Sequence, residues 1–150
     1  MSSVTIRPAR VDEQPALESL QRRASLANPG DREALLAHPE AIALPVEQLE
    51  AGAVYLAEAD GATVGFAALL RRADGNAQLD ALFVDPTAWR RGIGRALVNH
   101  CAGRARDWGS PVLFVVGNPH AEAFYQSCGF VIVGSEATLF GPALLLQRIL

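Results

Sequence analysis

The feature that most constrains this chain is a pair of Asp-Gly steps placed between apolar runs. Asp60-Gly61 separates Val54–Ala59 from residues 62–70, and Asp74-Gly75 separates that second run from Ala77–Val84. Asp-Gly readily adopts the positive φ angles that a tight hairpin turn demands, so strand-forming residues on either side are set to pair antiparallel. Three consecutive strands therefore form a meander in the middle of the chain.

The flanking segments alternate between strand and helix signals. Val4-Thr5-Ile6-Arg7 reads as a strand ending at Pro8. A helix follows, with Asp12 as its expected cap, Pro15 in its first turns and Leu17, Leu20 and Ala24 on one face. Residues 26–52 read as a variable flap of short helical pieces, broken at Asn28-Pro29-Gly30, Pro39 and Pro45. After the meander, Ile93, Leu97, Cys101 and Ala105 recur at helical spacing. Residues 112–116 are unbroken apolar, as a strand covered on both faces would be. Asn118-Pro119 starts a further helix and Gly129 stops it. Residues 130–133 and 143–149 read as two last strands. The predicted fold class is α/β of the α+β type, a mixed, mostly antiparallel central sheet of about seven strands flanked by helices. With 150 residues, no internal repeat and no Gly/Ser linker, the expected organisation is a single domain over 1–150.

Composition bears on partners. The net charge of −3 gives no global attraction for nucleic acid or anionic lipid, so no nucleic acid and no membrane partner is expected. No apolar run approaches the ~20 residues of a membrane-spanning helix, and Met1 to Arg10 lack a signal-peptide pattern, which makes the cytoplasm the expected location. Cys101 and Cys128 form no CxxC motif, and His38, His100 and His120 lack metal-ligand spacing, so no metal is expected.

Trp89-Arg90-Arg91-Gly92-Ile93-Gly94-Arg95-Ala96-Leu97 lies between a strand and an amphipathic helix. Its glycines let backbone approach a ligand, and the first amides of a helix have no internal partner. A phosphate placed there gains both hydrogen bonds and the helix dipole, while Arg90, Arg91 and Arg95 bring positive charge against the acidic sign of the whole. A loop merely shaped by its glycines, beside solvated arginines, is the plainer alternative. A Walker loop is excluded because the chain contains no lysine, and a dinucleotide fingerprint would need a third glycine where Leu97 stands.

Leu82-Phe83-Val84-Asp85-Pro86 leading into Arg90-Arg91-Gly92-Ile93-Gly94-Arg95-Ala96-Leu97, with Asn118, Ala123-Phe124-Tyr125 and Cys128-Gly129-Phe130 downstream, resembles the GNAT superfamily of acyl-CoA-dependent N-acyltransferases. The resemblance spans nearly the whole chain. It implies a splayed strand pair that receives the pantetheine arm of acetyl-CoA, contacted by Leu82, Phe83 and Val84. It implies a diphosphate cradle from Arg90 through Arg91, Gly92, Ile93, Gly94, Arg95 and Ala96, and a cofactor contact at Asn118, which can also cap its helix. Tyr125 matches the tyrosine that assists departure of the CoA thiolate; a phenol of pKa ~10 is protonated at neutral pH and suits that task. The implied activity is transfer of an acetyl group to a primary amine on a small molecule or peptide, with a non-catalytic acyl-CoA-binding or regulatory module as the alternative.

Two departures from the family pattern concern the base. Gln78 stands where some relatives carry glutamate on the strand before the phosphate loop, and Leu113 stands at a second such position. Asp80, two residues beyond Gln78 and on the same strand face, is the candidate proton acceptor. Trp89 replaces the usual Gln or Arg and is expected to pack at the base of the loop. His120 reads as an exposed first-turn residue, with a role as base or substrate contact as the alternative, and Cys128 reads as packed. The flap and the turn at Phe140-Gly141-Pro142 are expected to wall the acceptor side. Asp31, Glu33, Glu40, Glu47 and Glu50 give the flap an acidic cast that suits a cationic amine or simply a solvated face. Exposed strand edges leave a homodimer open.

Overall fold

Chain reversals fall where Asp and Gly mark them. Asp60 (φ 53°) and Gly61 (φ 77°) both take the left-handed turn conformation between strand β2 (Val54–Ala59) and strand β3 (Ala62–Arg71). The computed structural model describes residues 4–138 and 141–150, so residues 1–3 at the start of the chain and Phe140 of the expected wall lie outside the described residues. Strand β1 (Val4–Pro8) pairs antiparallel with β2, and strand β4 (Ala77–Val84) pairs antiparallel with β3, which completes the meander.

Helix α1 (Gln14–Ala27) carries Pro15 in its first turn and buries Leu17, Leu20 and Ala24. Asp12 does not cap it. A short 3-10 turn (Val11–Glu13) precedes the helix, and Glu13 accepts from the Arg10 amide at 2.8 Å, while Asp12 takes only the Arg10 guanidinium at 3.3 Å. The flap consists of α2 (Pro29–Ala37), a 3-10 turn at Pro39–Ala41 and α3 (Val46–Glu50). Helix α4 (Ile93–Asp107) buries Ile93, Leu97, Cys101 and Ala105. It connects β4 to strand β5 (Val112–Gly117), the single parallel pair of the described sheet. A 3-10 turn (Pro119–Ala121) leads into α5 (Glu122–Ser127), and strands β6 (Val131–Thr138) and β7 (Gly141–Ile149) close the chain.

The seven strands run β1-β2-β3-β4-β5-β7-β6. Both faces of the middle strands are covered, while β6 is exposed along most of its length. Ile93, Leu97, Cys101, Leu113, Tyr125 and Phe130 belong to one apolar cluster, while Leu17, Leu20, Leu44, Leu49 and Phe66 form the other, beneath α1 and the flap. Strand β5 is less enclosed than its unbroken apolar run predicts. Leu113 and Val115 are buried, whereas Phe114 on the opposite face is half-buried beneath the Arg72 guanidinium, 4.4 Å from its ring. Arginine stacked on an aromatic face supplies cover that the sequence pattern does not reveal.

Candidate active site

Strands β4 and β5 share only three register pairs, Ala77–Leu113, Gln78–Phe114 and Leu79–Val115. Beyond them the strands part. The divergence coincides with a bulge: Ala81 faces Ala68 and Leu79 faces Leu69, which leaves Asp80 as the extra residue of β4. A bulge bends its strand and resets the side-chain alternation. Leu79 packs into the α4-side cluster, as Leu82 and Val84 do after the bulge, while Ala81 and Phe83 turn to the α1 side. The gap opens into a cleft of about 1280 Å³ that runs from the head of α4, past Leu82, Phe83 and Val84, to Tyr125 and the flap.

At the α4 end the donors are backbone. Arg90 (φ 65°) and Gly92 (φ 78°) are both left-handed and bracket the turn into the helix. Arginine in that region is held at a cost of roughly 1–3 kcal/mol, and such alternation turns successive amides toward one point. Among the described residues, no carbonyl takes up the amides of Gly92, Ile93, Gly94 or Arg95, and the helix ladder begins with the Ala96 amide on the Gly92 carbonyl at 3.0 Å. Gly94 must be small here, because a Cβ would stand 3.0 Å from the Phe124 ring. The arginine side chains are less concentrated than the sequence suggests. Arg95 donates to the Ser127 carbonyl at 2.9 Å and its hydroxyl at 3.1 Å, and Arg91 reaches toward Asp60 at 3.9 Å. Trp89 is 42% exposed and not packed at the loop base; its indole N–H donates to the Val84 carbonyl at 2.8 Å.

At the far end the groups are side chains. Asn118 caps the turn after β5 by accepting from the His120 amide at 2.9 Å, and its Nδ2 donates to Asp31 Oδ1 on α2 at 2.6 Å. Tyr125 is 8% exposed, stacked edge-on against Phe124 and Phe130, and fitted against Gly117, where a Cβ would meet its ring at 2.9 Å. Burial pushes its phenol well above the ordinary tyrosine range, with the Cys128 and Asp31 charges adding to the effect, so it stands as a neutral donor. Asp80 is exposed to the cleft and accepts from Gln48 Nε2 of α3 at 3.0 Å. Arg23 of α1 donates to Asp85 just past β4 at 2.8 Å.

Of the sequence-predicted residues, Leu82, Phe83, Val84, Arg90, Gly92, Ile93, Gly94, Arg95, Asn118, Tyr125 and Asp80 all line this cleft. Arg91 and Ala96 do not. Ala96 is already inside the helix ladder, and Arg91 is directed to the β2–β3 hairpin. Pro142 lines the cleft, as does His120, which is exposed, while Cys128 is buried. Sequence reasoning missed the bulge at Asp80 and the cross-links Asp31–Asn118 and Gln48–Asp80. No local pattern signals a bond between residues 87 positions apart. Among the described residues, no three His, Cys, Asp or Glu side chains gather as a metal site, and no helix is long and apolar enough to cross a membrane.

An open strand edge leads into a helix start whose first amides no described carbonyl takes up, and the family model for the acetyltransferase (GNAT) family matches residues 17–130. The chain belongs to the GNAT family. An uncharacterized N-acetyltransferase of Mycobacterium tuberculosis is 32% identical over 92 residues, 59% of this chain, and the match covers 59% of that relative's length. The GNAT fold is shared with the PaiA N-acetyltransferase of Thermoplasma acidophilum, solved in complex with coenzyme A (TM-score 0.81, 16% identity, 99% of both chains). The apo form of YjaB from Escherichia coli aligns with a TM-score of 0.72 at 27% identity, over 97% of this chain and 95% of that one. This likeness bears out the mixed seven-stranded sheet expected from the sequence.

Proposed function

We propose that this protein is an acyl-CoA-dependent N-acyltransferase that moves an acetyl group from acetyl-CoA to a primary amine. The observation that carries the reading is the continuity of one surface. The edge of β4 beyond Leu79, unpaired by β5 and with its Val84 carbonyl taken by the Trp89 indole, leads to amides at Gly92, Ile93, Gly94 and Arg95 that no described carbonyl satisfies. An extended amide-bearing arm can pair with such an edge as an added strand does, and the diphosphate at its end meets amides and a helix dipole together.

In this reading Leu82, Phe83 and Val84 hold the pantetheine arm and the α4 turn holds the diphosphate. The thioester then lies between Tyr125 and the flap. The acceptor enters as an ammonium of pKa ~10.4 and must lose a proton before its nitrogen can attack. Asp80, on the bulge and steadied by Gln48, takes that proton directly or through water. The nitrogen forms its bond to the thioester carbonyl carbon, the carbon–sulfur bond breaks, and the Tyr125 hydroxyl gives a hydrogen bond or proton to the leaving sulfur. Both substrates are bound together, so positioning supplies much of the rate.

The test pairs calorimetry with CoA and a thiol-release assay using acetyl-CoA and a panel of amines. Heat of CoA binding and amine-dependent thiol release are expected. Absence of CoA binding overturns the reading. Binding without thiol release on any amine supports a silent acyl-CoA-binding module instead. For the base, Asp80→Asn is expected to lower kcat roughly 10- to 100-fold near neutral pH and to flatten its dependence on pH. Unchanged activity across pH removes Asp80 from the mechanism.

A further inference from the structure

Five acidic residues mark the flap in the sequence, but Asp31 alone among them lines the cleft. Its Oδ1 accepts from Asn118, and among the described residues nothing donates to its Oδ2. It lines the same cavity as Tyr125, whose side chain is more than nine-tenths buried and whose hydroxyl has no described hydrogen-bond partner. Asp31 therefore stands beside the reacting end of the cleft with one carboxylate oxygen open to it. Asp80 is the other carboxylate of the lining.

The arginines are distributed the opposite way, and His120 beside Asn118 is the other basic side chain of the lining. The arginines of the lining are Arg90 and Arg95, both at the α4 turn, and the chain has no lysine. Arg23 and Arg32, on the helices next to Asp31, are directed to Asp85 and to the Leu26 carbonyl. An acceptor bearing a carboxylate near its amine would thus meet Asp31 and Asp80 with no arginine to pair it. Like charges in a partly enclosed cleft repel, while an ammonium gains a charge-assisted hydrogen bond.

Building on the acyl-transfer reading above, we propose that Asp31 is a specificity-determining residue. The acceptor is an amine that carries a second ammonium group and no nearby carboxylate. Asp80 receives the reacting amine and Asp31 holds the second cation.

The experiment compares putrescine with γ-aminobutyrate as acceptors for acetyl-CoA. They present the same attacking amine on chains of similar length, with opposite charge at the far end. The wild-type protein is expected to favour putrescine at least tenfold in kcat/KM. Asp31→Asn keeps an oxygen for the Asn118 amide but removes the charge. It is expected to bring the two acceptors within about threefold, through a higher KM for putrescine, with the KM of acetyl-CoA and the Kd of CoA unchanged. Asp31→Lys is expected to invert the preference. A wild-type protein that uses both acceptors equally or prefers γ-aminobutyrate overturns the inference, as does an Asp31→Asn ratio equal to wild type. Transfer to neither acceptor by a protein that binds CoA overturns the substrate class and leaves the cofactor site standing. Failure to bind CoA removes the acyl-transfer reading itself, and this inference with it.

Discussion

The two ends of the cleft are built by opposite means. At the head of α4, the donors are consecutive backbone amides and the geometry comes from left-handed φ angles at Arg90 and Gly92. At the flap end, side chains from distant segments meet: Asp31 with Asn118 and Gln48 with Asp80. A backbone cradle depends little on side-chain identity, so it suits a cosubstrate that does not change. A side-chain enclosure can be rewritten by single substitutions and suits selection among acceptors. Tyr125 sits where the two meet, with its ring packed between Phe124 and Phe130 and its hydroxyl toward neither a cap nor an ion pair.

Tyr125→Phe is the sharpest way to separate the ends, and the largest effect is expected from it. The ring and its packing on Gly117 are retained, and no described partner loses a bond. If the hydroxyl serves the leaving sulfur, kcat falls roughly 100-fold or more while the Kd of CoA and thermal stability stay near wild type. Steady-state kinetics together with calorimetry read this directly. A kcat within twofold of wild type reduces Tyr125 to a packing residue and leaves the cleft without a donor at its centre.

Gly94→Val is aimed at the backbone end. A Cβ there already meets the Phe124 ring at 3.0 Å, and valine adds two methyl groups at the mouth of the amide cradle. The Kd of CoA is expected to rise roughly tenfold, the loss of about one charge-assisted hydrogen bond. Acetyl-pantetheine, which lacks the diphosphate, should bind variant and wild type alike. Equal weakening of both ligands would place the damage in the strand slot and break the division between the ends.

The same division explains what was legible in the sequence. Regular punctuation made the fold readable: Asp60-Gly61 fixed the hairpin, and Ile93, Leu97, Cys101 and Ala105 fixed the buried face of α4. The cradle was readable too, because Gly92 and Gly94 are contiguous with the helix they open. Asp80 was named from strand alternation, yet its place at the mouth comes from a bulge that no turn residue announces. Asp31 stood among five equivalent acids until packing brought α2 against Asn118. The positions of the three arginine side chains are illegible for the same reason, since Arg95 bonds Ser127 and Arg91 reaches toward Asp60 through space while Arg90 and Arg95 line the cleft.

The smallest effect is expected at the strut between the ends. Asp85 follows β4 immediately, accepts from the Thr87 amide at 3.1 Å, and takes the Arg23 guanidinium at 2.8 Å. Burial alone would raise its carboxyl, but the bonds from Arg23 and Thr87 outweigh that and hold it below the ordinary carboxylate range. A carboxyl depressed in the folded state stabilises above its unfolded pKa of about 3.9, and that stability is lost as pH falls through the folded value. Asp85→Asn keeps an acceptor for Thr87 and removes the charge facing Arg23, which is half exposed, so the cost at pH 7 is only about 1 kcal/mol, or a Tm lower by roughly 2–4 °C. The difference should close as the solution is acidified until the Asp85 carboxyl is protonated in the folded state as well. A gap that persists there assigns the loss to packing, and the strut then contributes nothing electrostatic to holding α1 against the end of β4.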